Sequence, residues 1–374
     1  MRQPPHPLLR RALLRALHLA AFAYALALPR AAQEAAFDYA DAIEEGRELA
    51  TELIEVGAPG LSVAVAAGGD IVWSEGFGFA DLAQGIPVLT TTRFRVGSVA
   101  KPFTAAALGL LVEEGRINLD LPVQRYVPSF PVKDEGVITT RLLAGHLAGI
   151  RHYQGLEFFA NKRYDSVLEG LKIFQADPLV AAPGEKFHYS TYGWTLVSAA
   201  METASGEEFL SFMDARVFRP LGMHSTISDR SDVVIPGRTT YYRLVDDEPK
   251  TCPPVDNSYK WAGGGFLSTA EDMVRFGSAH LAPGFLKAET LELFFTSQKT
   301  TSGKTTSCGV AWFLRKDSKG RKIYMHTGGS MGGTTALAVH PGTGVVAALA
   351  TNRSQGPVQL DHALMLLDLF EQPR

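Results

Sequence analysis

Apolar residues in the first part of the chain repeat at two different periods. In "EAAFDYADAIEEGRELATELIEV" (34–56) they return every three or four positions, the spacing of one helix face, and Gly57-Ala58-Pro59-Gly60 then breaks the pattern. "LSVAVAA" (61–67) and "IVWSEGFGFA" (71–80) flank Gly68-Gly69-Asp70, residues that tolerate the positive φ of a tight turn, so the pair reads as a β-hairpin. The other end of the chain mirrors this. "GVAWFLR" (309–315), "KIYMHTG" (322–328), "TTALAVHP" (334–341) and "GVVAALATN" (344–352) are short β-rich runs between turn residues, followed by an apolar helix over 357–370.

Between these ends, helical periodicity dominates: 98–115, 139–147, 164–176, 190–204, 206–217, 269–281 and 288–296, joined by loops rich in Pro, Gly and Asp. The pattern predicts an α/β fold, with an antiparallel sheet flanked by helices and a large α-helical insertion. Residues 34–374 are expected to form a single domain, in which 34–97 and 301–374 make the sheet lobe and 98–300 the mainly helical lobe. A site between the two lobes is the natural concave place for chemistry.

Composition changes this picture at the N-terminus. Five arginines and no acid precede Glu34, and the apolar run "ALHLAAFAYALAL" (16–28) is too short to span a bilayer but suits a signal-peptide core. Residues 1–33 therefore read as a signal or targeting segment cleaved near Ala31 or Ala32. Export to a periplasmic or extracellular location is the favoured reading; a mitochondrial address and a retained amphipathic helix are the alternatives, and no stable membrane span is expected after processing. Removal leaves 31 basic against 39 acidic residues, with no Lys/Arg cluster of the kind a nucleic-acid surface needs. Only Cys252 and Cys308 occur, without C-x-x-C, and no H-E-x-x-H is present, so neither a metal nor a cofactor is expected. The two cysteines read as free and buried, with pairing open in an oxidising compartment.

Ser98 and Lys101 lie three positions apart where a polar stretch becomes an apolar helix, so the amine can reach the hydroxyl on one helix face. Pro102 confines the pair to the first turn. There the helix dipole favours a developing alkoxide, and a buried lysine could serve as its base. Alone, S-x-x-K is equally an N-cap serine and a surface lysine. Two further stretches change its meaning: Tyr189-Ser190-Thr191 at a loop-to-helix junction after Pro183-Gly184, and His326-Thr327-Gly328 at a strand end beside glycines.

With these three motifs in this order, the chain resembles the serine β-lactamase and penicillin-binding-protein superfamily, whose pattern is S-x-x-K, Y-x-N, K-T-G. The blocks "TTTRFRVGSVAKPFTA", "ITTRLLAGHLAGIRHY", "PGEKFHYSTYGWTL" and "VDNSYKWAGGGFLSTAEDMVRFG" look like its class C β-lactamase-like branch, and most resemble the mitochondrial β-lactamase-like (LACTB-type) serine proteases and their bacterial relatives. The resemblance implies Ser98 as nucleophile, Lys101 as base and Tyr189 as proton shuttle. Backbone N–H groups of Ser98 and Gly329 would receive the oxyanion. Thr191, His326, Thr327 and Gly328 would contact a small-molecule or peptide substrate, and self-assembly into a homo-oligomer is also implied. If Tyr189 acts as a phenolate, neighbouring positive charge must lower its pKa. Thr191 stands for the asparagine and His326 for the lysine, which weakens the expectation of a β-lactam or D-Ala-D-Ala carboxylate clamp.

The function expected is acyl transfer to water through an acyl-serine on amide or ester bonds, as a LACTB-like peptidase or esterase. A β-lactamase or D-alanyl-D-alanine carboxypeptidase, and a non-catalytic peptide-binding or self-assembling scaffold, stay open. His146, His152 and Tyr153 read equally as site-edge or structural residues. Trp261-Ala262-Gly263-Gly264-Gly265 reads as a turn needing positive φ, Asn352 as a weak site candidate, and Gly76-Phe77-Gly78 lacks the third glycine of a dinucleotide fingerprint.

Overall fold

The computed structural model describes residues 38–372; the expected targeting segment, 1–33, lies outside them. Helix α1 (Ala40–Glu55) buries Gly46, Leu49, Ala50 and Leu53, a single stripe at helical spacing, and ends before Gly57, whose φ is +99°. Strands β1 (Gly60–Ala67) and β2 (Asp70–Asp81) form the expected hairpin, with Gly68 and Gly69 both at positive φ. The short strands β3 (Ile86–Pro87) and β4 (Phe94–Arg95) lead to the helical part of the chain.

That part contains helices α2 (Ala100–Glu113), α3 (Thr140–Ala144), α4 (Val167–Leu171), α5 (Thr191–Ser205) and α6 (Phe209–Met213). Short strands β5 (Ile227–Ser228), β6 (Tyr242–Val245) and β7 (Glu248–Thr251) follow. Then come α7 (Trp261–Gly264), β8 (Phe266–Ser268), α8 (Ala270–Ser278) and α9 (Ala288–Phe294). Strands β9 (Phe313–Lys316), β10 (Lys322–Ser330), β11 (Gly333–His340) and β12 (Val345–Thr351) and helix α10 (Leu360–Leu369) complete the order.

One antiparallel sheet joins the two ends of the domain in the order β3-β2-β1-β12-β11-β10-β9. Its central strands are apolar at successive positions because both faces are covered. Leu61, Val63 and Val65 of β1, with Val345, Ala347 and Leu349 of β12, pack toward α1 and α10. Ala64, Ala66, Val346, Ala348 and Ala350 belong to the second core, shared with the helices. On that side α8 lies against β1, β11 and β12. It approaches so closely that a Cβ on Gly277 would stand 2.5 Å from Val346.

Helix α2 is buried on every side from Ala100 to Gly109, the signature of a helix running through a core. The stretch 98–300 is less purely helical than its periodicity predicts. Strands β4, β8 and β5 make a small antiparallel sheet, and β6–β7 make a hairpin whose turn residues Asp246 and Asp247 both have positive φ. Strands of two to four residues are too short to show alternation. The β6 backbone also bonds Asn352 and Ser354, tying this hairpin to the end of β12.

Candidate functional site

Ser98 sits in a single 3-10 turn, Gly97–Val99, that delivers the chain into α2. Gly97 has φ +50°, and a Cβ there would stand 2.7 Å from the Gly329 nitrogen, so only glycine lets this turn meet strand β10. Pro102 is the third residue of α2, where its missing N–H costs no helical bond. Ser98 does not cap the helix, and Lys101 is fully buried. The Lys101 Nζ lies 2.9 Å from Ser98 Oγ, 3.2 Å from Thr191 Oγ1 and 2.7 Å from the Gly263 carbonyl oxygen.

Burial, with the charge of Lys260 in second place, holds Lys101 well below the ordinary lysine pKa. A neutral amine has two N–H donors and one lone pair. Donation to Gly263 and Thr191 leaves the lone pair for the Ser98 hydroxyl, the arrangement a general base requires.

Tyr189 is half-buried just before α5, its hydroxyl group near that of Ser98 and its ring centroid 4.8 Å from Lys101 Nζ. Two histidines set this corner. His146 Nδ1 accepts from the Ser190 N–H at 3.1 Å, His152 Nδ1 accepts from the Thr191 N–H at 3.2 Å, and the His146 ring packs on Tyr189. Both are held neutral mainly by burial, His146 well below the usual range and His152 at about 4. Ser190 caps α5 by accepting from the Gly193 N–H. Burial raises the Tyr189 pKa above that of an ordinary phenol, even against the opposing effect of the Ser98 hydroxyl. The resting group is therefore a phenol, not the phenolate considered from the sequence.

Strand β10 edges the site. His326 and Gly328 are buried, while Thr327 and Gly329 are exposed, as strand alternation requires. A Cβ on Gly328 would fall 1.9 Å from the Val96 carbonyl oxygen, so at this position the strand and the Ser98 turn touch backbone to backbone; a Cβ on Gly329 would meet nothing within 4 Å. His326 bonds the Thr327 carbonyl through Nδ1 at 2.6 Å and is pushed down to about 3, first by burial and then by Lys101. It is a neutral imidazole, not the cation of K-T-G. From Gly329, Ser330 and Met331 a cleft of about 560 Å³ opens toward Phe158, Phe159 and the β6 residues Arg243 and Leu244.

Other residues that shape the site left little trace in the sequence. Lys260 is buried, its ammonium 5.2, 4.7 and 5.1 Å from the ring centroids of Tyr153, Phe158 and Tyr259. Tyr153 in turn packs on His152, ring centroids 4.2 Å apart. Arg95, also buried, bonds Asp229 at 2.6 Å and the Met331 carbonyl at 2.6 Å, clamping the β10–β11 turn to the strand that leads into Ser98. A lysine amid "SYKW" and an arginine amid "RFRV" were the available signals.

Three sequence expectations change. Gly263, Gly264 and Gly265 do not occupy positive φ; they make room, since a Cβ would meet Thr191 at 2.5 Å for Gly263 and Trp261 at 2.6 Å for Gly265. Asn352 lies outside the site, donating to the carbonyls of Phe79, Ala80 and Thr240. Both cysteines are free, but only Cys308 is fully buried, its thiol pushed up to about 12 by burial; Cys252 is half-buried. Among the described residues no cluster of three metal-ligating side chains occurs, and no helix is long and apolar enough to cross a membrane.

A serine at the entrance of a buried helix thus faces a lysine, a tyrosine and a glycine-lined strand edge, and the fold that brings them together is that of the penicillin-binding proteins. The octameric penicillin-binding protein homologue from Pyrococcus abyssi superposes with a TM-score of 0.76 at 25% identity, covering 87% of this chain and 77% of that one. In sequence, the mitochondrial serine β-lactamase-like protein LACTB of Homo sapiens is 34% identical over 81% of this chain and 73% of its own length. Penicillin-binding protein 4* of Bacillus subtilis (strain 168) is 29% identical over 74% of this chain and 64% of its own. A profile of the Beta-lactamase family matches residues 40–370, and the chain belongs to that family.

Proposed function

We propose that the protein is a serine hydrolase that forms an acyl-serine on Ser98 and hydrolyses amide or ester bonds, acting as a LACTB-like peptidase or esterase. The observation that carries this reading is the 2.9 Å approach of a fully buried, carboxylate-free Lys101 amine to the Ser98 hydroxyl. As Ser98 Oγ bonds the substrate carbonyl carbon, its proton passes to Lys101. The backbone N–H groups of Ser98 and Gly329 receive the oxyanion, and Tyr189, a phenol beside Ser98, protonates the departing group. Water then attacks the acyl-serine and the same groups act in reverse. Thr327 and Gly328 on β10, with Thr191 and His326, would line the acyl path. With His326 neutral and Thr191 committed to Lys101, β-lactam turnover is expected to be slow.

A fluorophosphonate probe is expected to label the wild-type protein and not Ser98→Ala, with p-nitrophenyl ester hydrolysis lost in parallel; equal labelling of both would sink the reading. Nitrocefin hydrolysis, measured beside ester and peptide hydrolysis, ranks the substrate classes. The reading includes export, from residues 1–33, and self-association, for which the octameric description of the Pyrococcus abyssi homologue is the support. Light scattering on the eluting peak of a sizing column measures the latter.

A further inference from the structure

Lys101 and Lys260 are two buried lysines on one site, and neither forms an ion pair among the described residues. The charge of Lys260 bears on Lys101, and two ammonium groups removed from water without a carboxylate between them resist being charged together. Their surroundings differ. Lys101 is met by oxygen atoms of Ser98, Thr191 and Gly263, which a neutral amine satisfies. Lys260 is met by three aromatic faces and no side-chain hydrogen-bond acceptor, which favours a cation.

The remaining groups leave this division intact. Lys101 is faced by His146, His152 and His326, all held neutral, and by the phenol Tyr189. Lys260 is faced by Tyr153, Tyr259, the Arg95 cation and Asp229, whose carboxylate is occupied by Arg95 and Asn257. Lys260 is also the one charge that bears on Lys101.

Resting on the acyl-serine reading, we propose that Lys260 is a positioning residue for proton transfer: it takes the single proton that the lysine pair can hold, leaving Lys101 as the free amine that receives the proton of Ser98. Burial and the Arg95 charge bring Lys260 down to about 7, so below neutrality it carries a charge in the aromatic box, and that charge opposes protonation of Lys101. Without Lys260 the proton goes to Lys101. The base is then lost at a higher pH, while burial still keeps it below the ordinary lysine value.

The test is the pH profile of Ser98 acylation by an activated ester and a fluorophosphonate, for wild type, Lys260→Met and Lys260→Arg. Lys260→Met is expected to move the acidic limb upward by ~1 unit or more, a loss of ~tenfold below the limb that alkaline pH restores. Lys260→Arg should keep the wild-type limb. An unshifted limb, or a loss equal at every pH, overturns the proposal while Ser98 labelling upholds the acyl-serine reading; a wild type that never labels Ser98 overturns both. If Lys260→Met does not fold, an NMR titration of lysine-labelled wild type decides. Lys260 protonated and Lys101 free below neutral pH supports the division of charge, and the reverse order overturns it.

Discussion

Lys101 stores a conflict between stability and chemistry. In the unfolded chain it is an ordinary lysine near 10.5, whereas the fold holds it well below that value. Between the folded and unfolded values the unfolded state binds more protons, so this residue makes stability rise with pH until about 10.5 is passed. Lys101→Met is therefore expected to abolish acylation and yet raise the melting temperature at neutral pH, with the gain shrinking as the buffer approaches pH ~10.5; calorimetry across pH reads both effects. Much of this corner was legible beforehand. The spacing of Ser98 and Lys101, with Pro102 fixing the turn, predicts their meeting, because three residues on a helix start leave one geometry. The positions of Tyr189 and His326 were legible only through motif order. His146 and His152 were legible only as residues equally of the site's edge or of the structure, and Lys260 was not legible at all, since its effect depends on burial and on rings distant in sequence, neither of which a local pattern encodes.

Strand β10 and the Ser98 turn meet through Gly328 and Gly97. Gly328→Ala would drive a methyl group into the Val96 carbonyl and push the strand away from Ser98. Hydrolysis is expected to fall ~100-fold or more, through misplacement of the Gly329 amide, with a stability cost of ~1–3 kcal/mol from overpacking; kinetics and urea titration on one preparation measure the two. The Arg95–Asp229 clamp fastens the turn that follows this end of the strand, through the Met331 carbonyl. Asp229→Ala leaves a buried guanidinium without its partner and is expected to cost ~3–5 kcal/mol by urea titration. The long helices and core strands were readable from period alone, within a few residues at their ends: 190–204 is observed as Thr191–Ser205 and 269–281 as Ala270–Ser278. β4, β5 and β8 were not, because strands of two or three residues are stabilised by pairing partners far along the chain and carry no alternation of their own.

The two ends of the domain depend on each other. Tyr39 stacks on Phe370, Trp73 stacks on the same ring, and α10 supplies Leu366 and Leu367 to the core that β1 and β12 share. Deleting residues 357–374 would strip that core from one face of the sheet, and the product is expected to be insoluble or to bind a hydrophobic dye where the full domain does not. Apolar strands at both ends of the sequence pointed to such a common sheet; which strands would be neighbours was not readable, since all four C-terminal runs are similarly apolar. The pairing of β1 with β12 sets Leu61 against Thr351. On a ribosome the β1–β2 hairpin therefore emerges before its partner and waits, with two sticky faces, until β12 has been made. The helical middle has time to condense around α2 before the sheet can zip shut, and the hairpin is the segment a chaperone would have to shield in the interval.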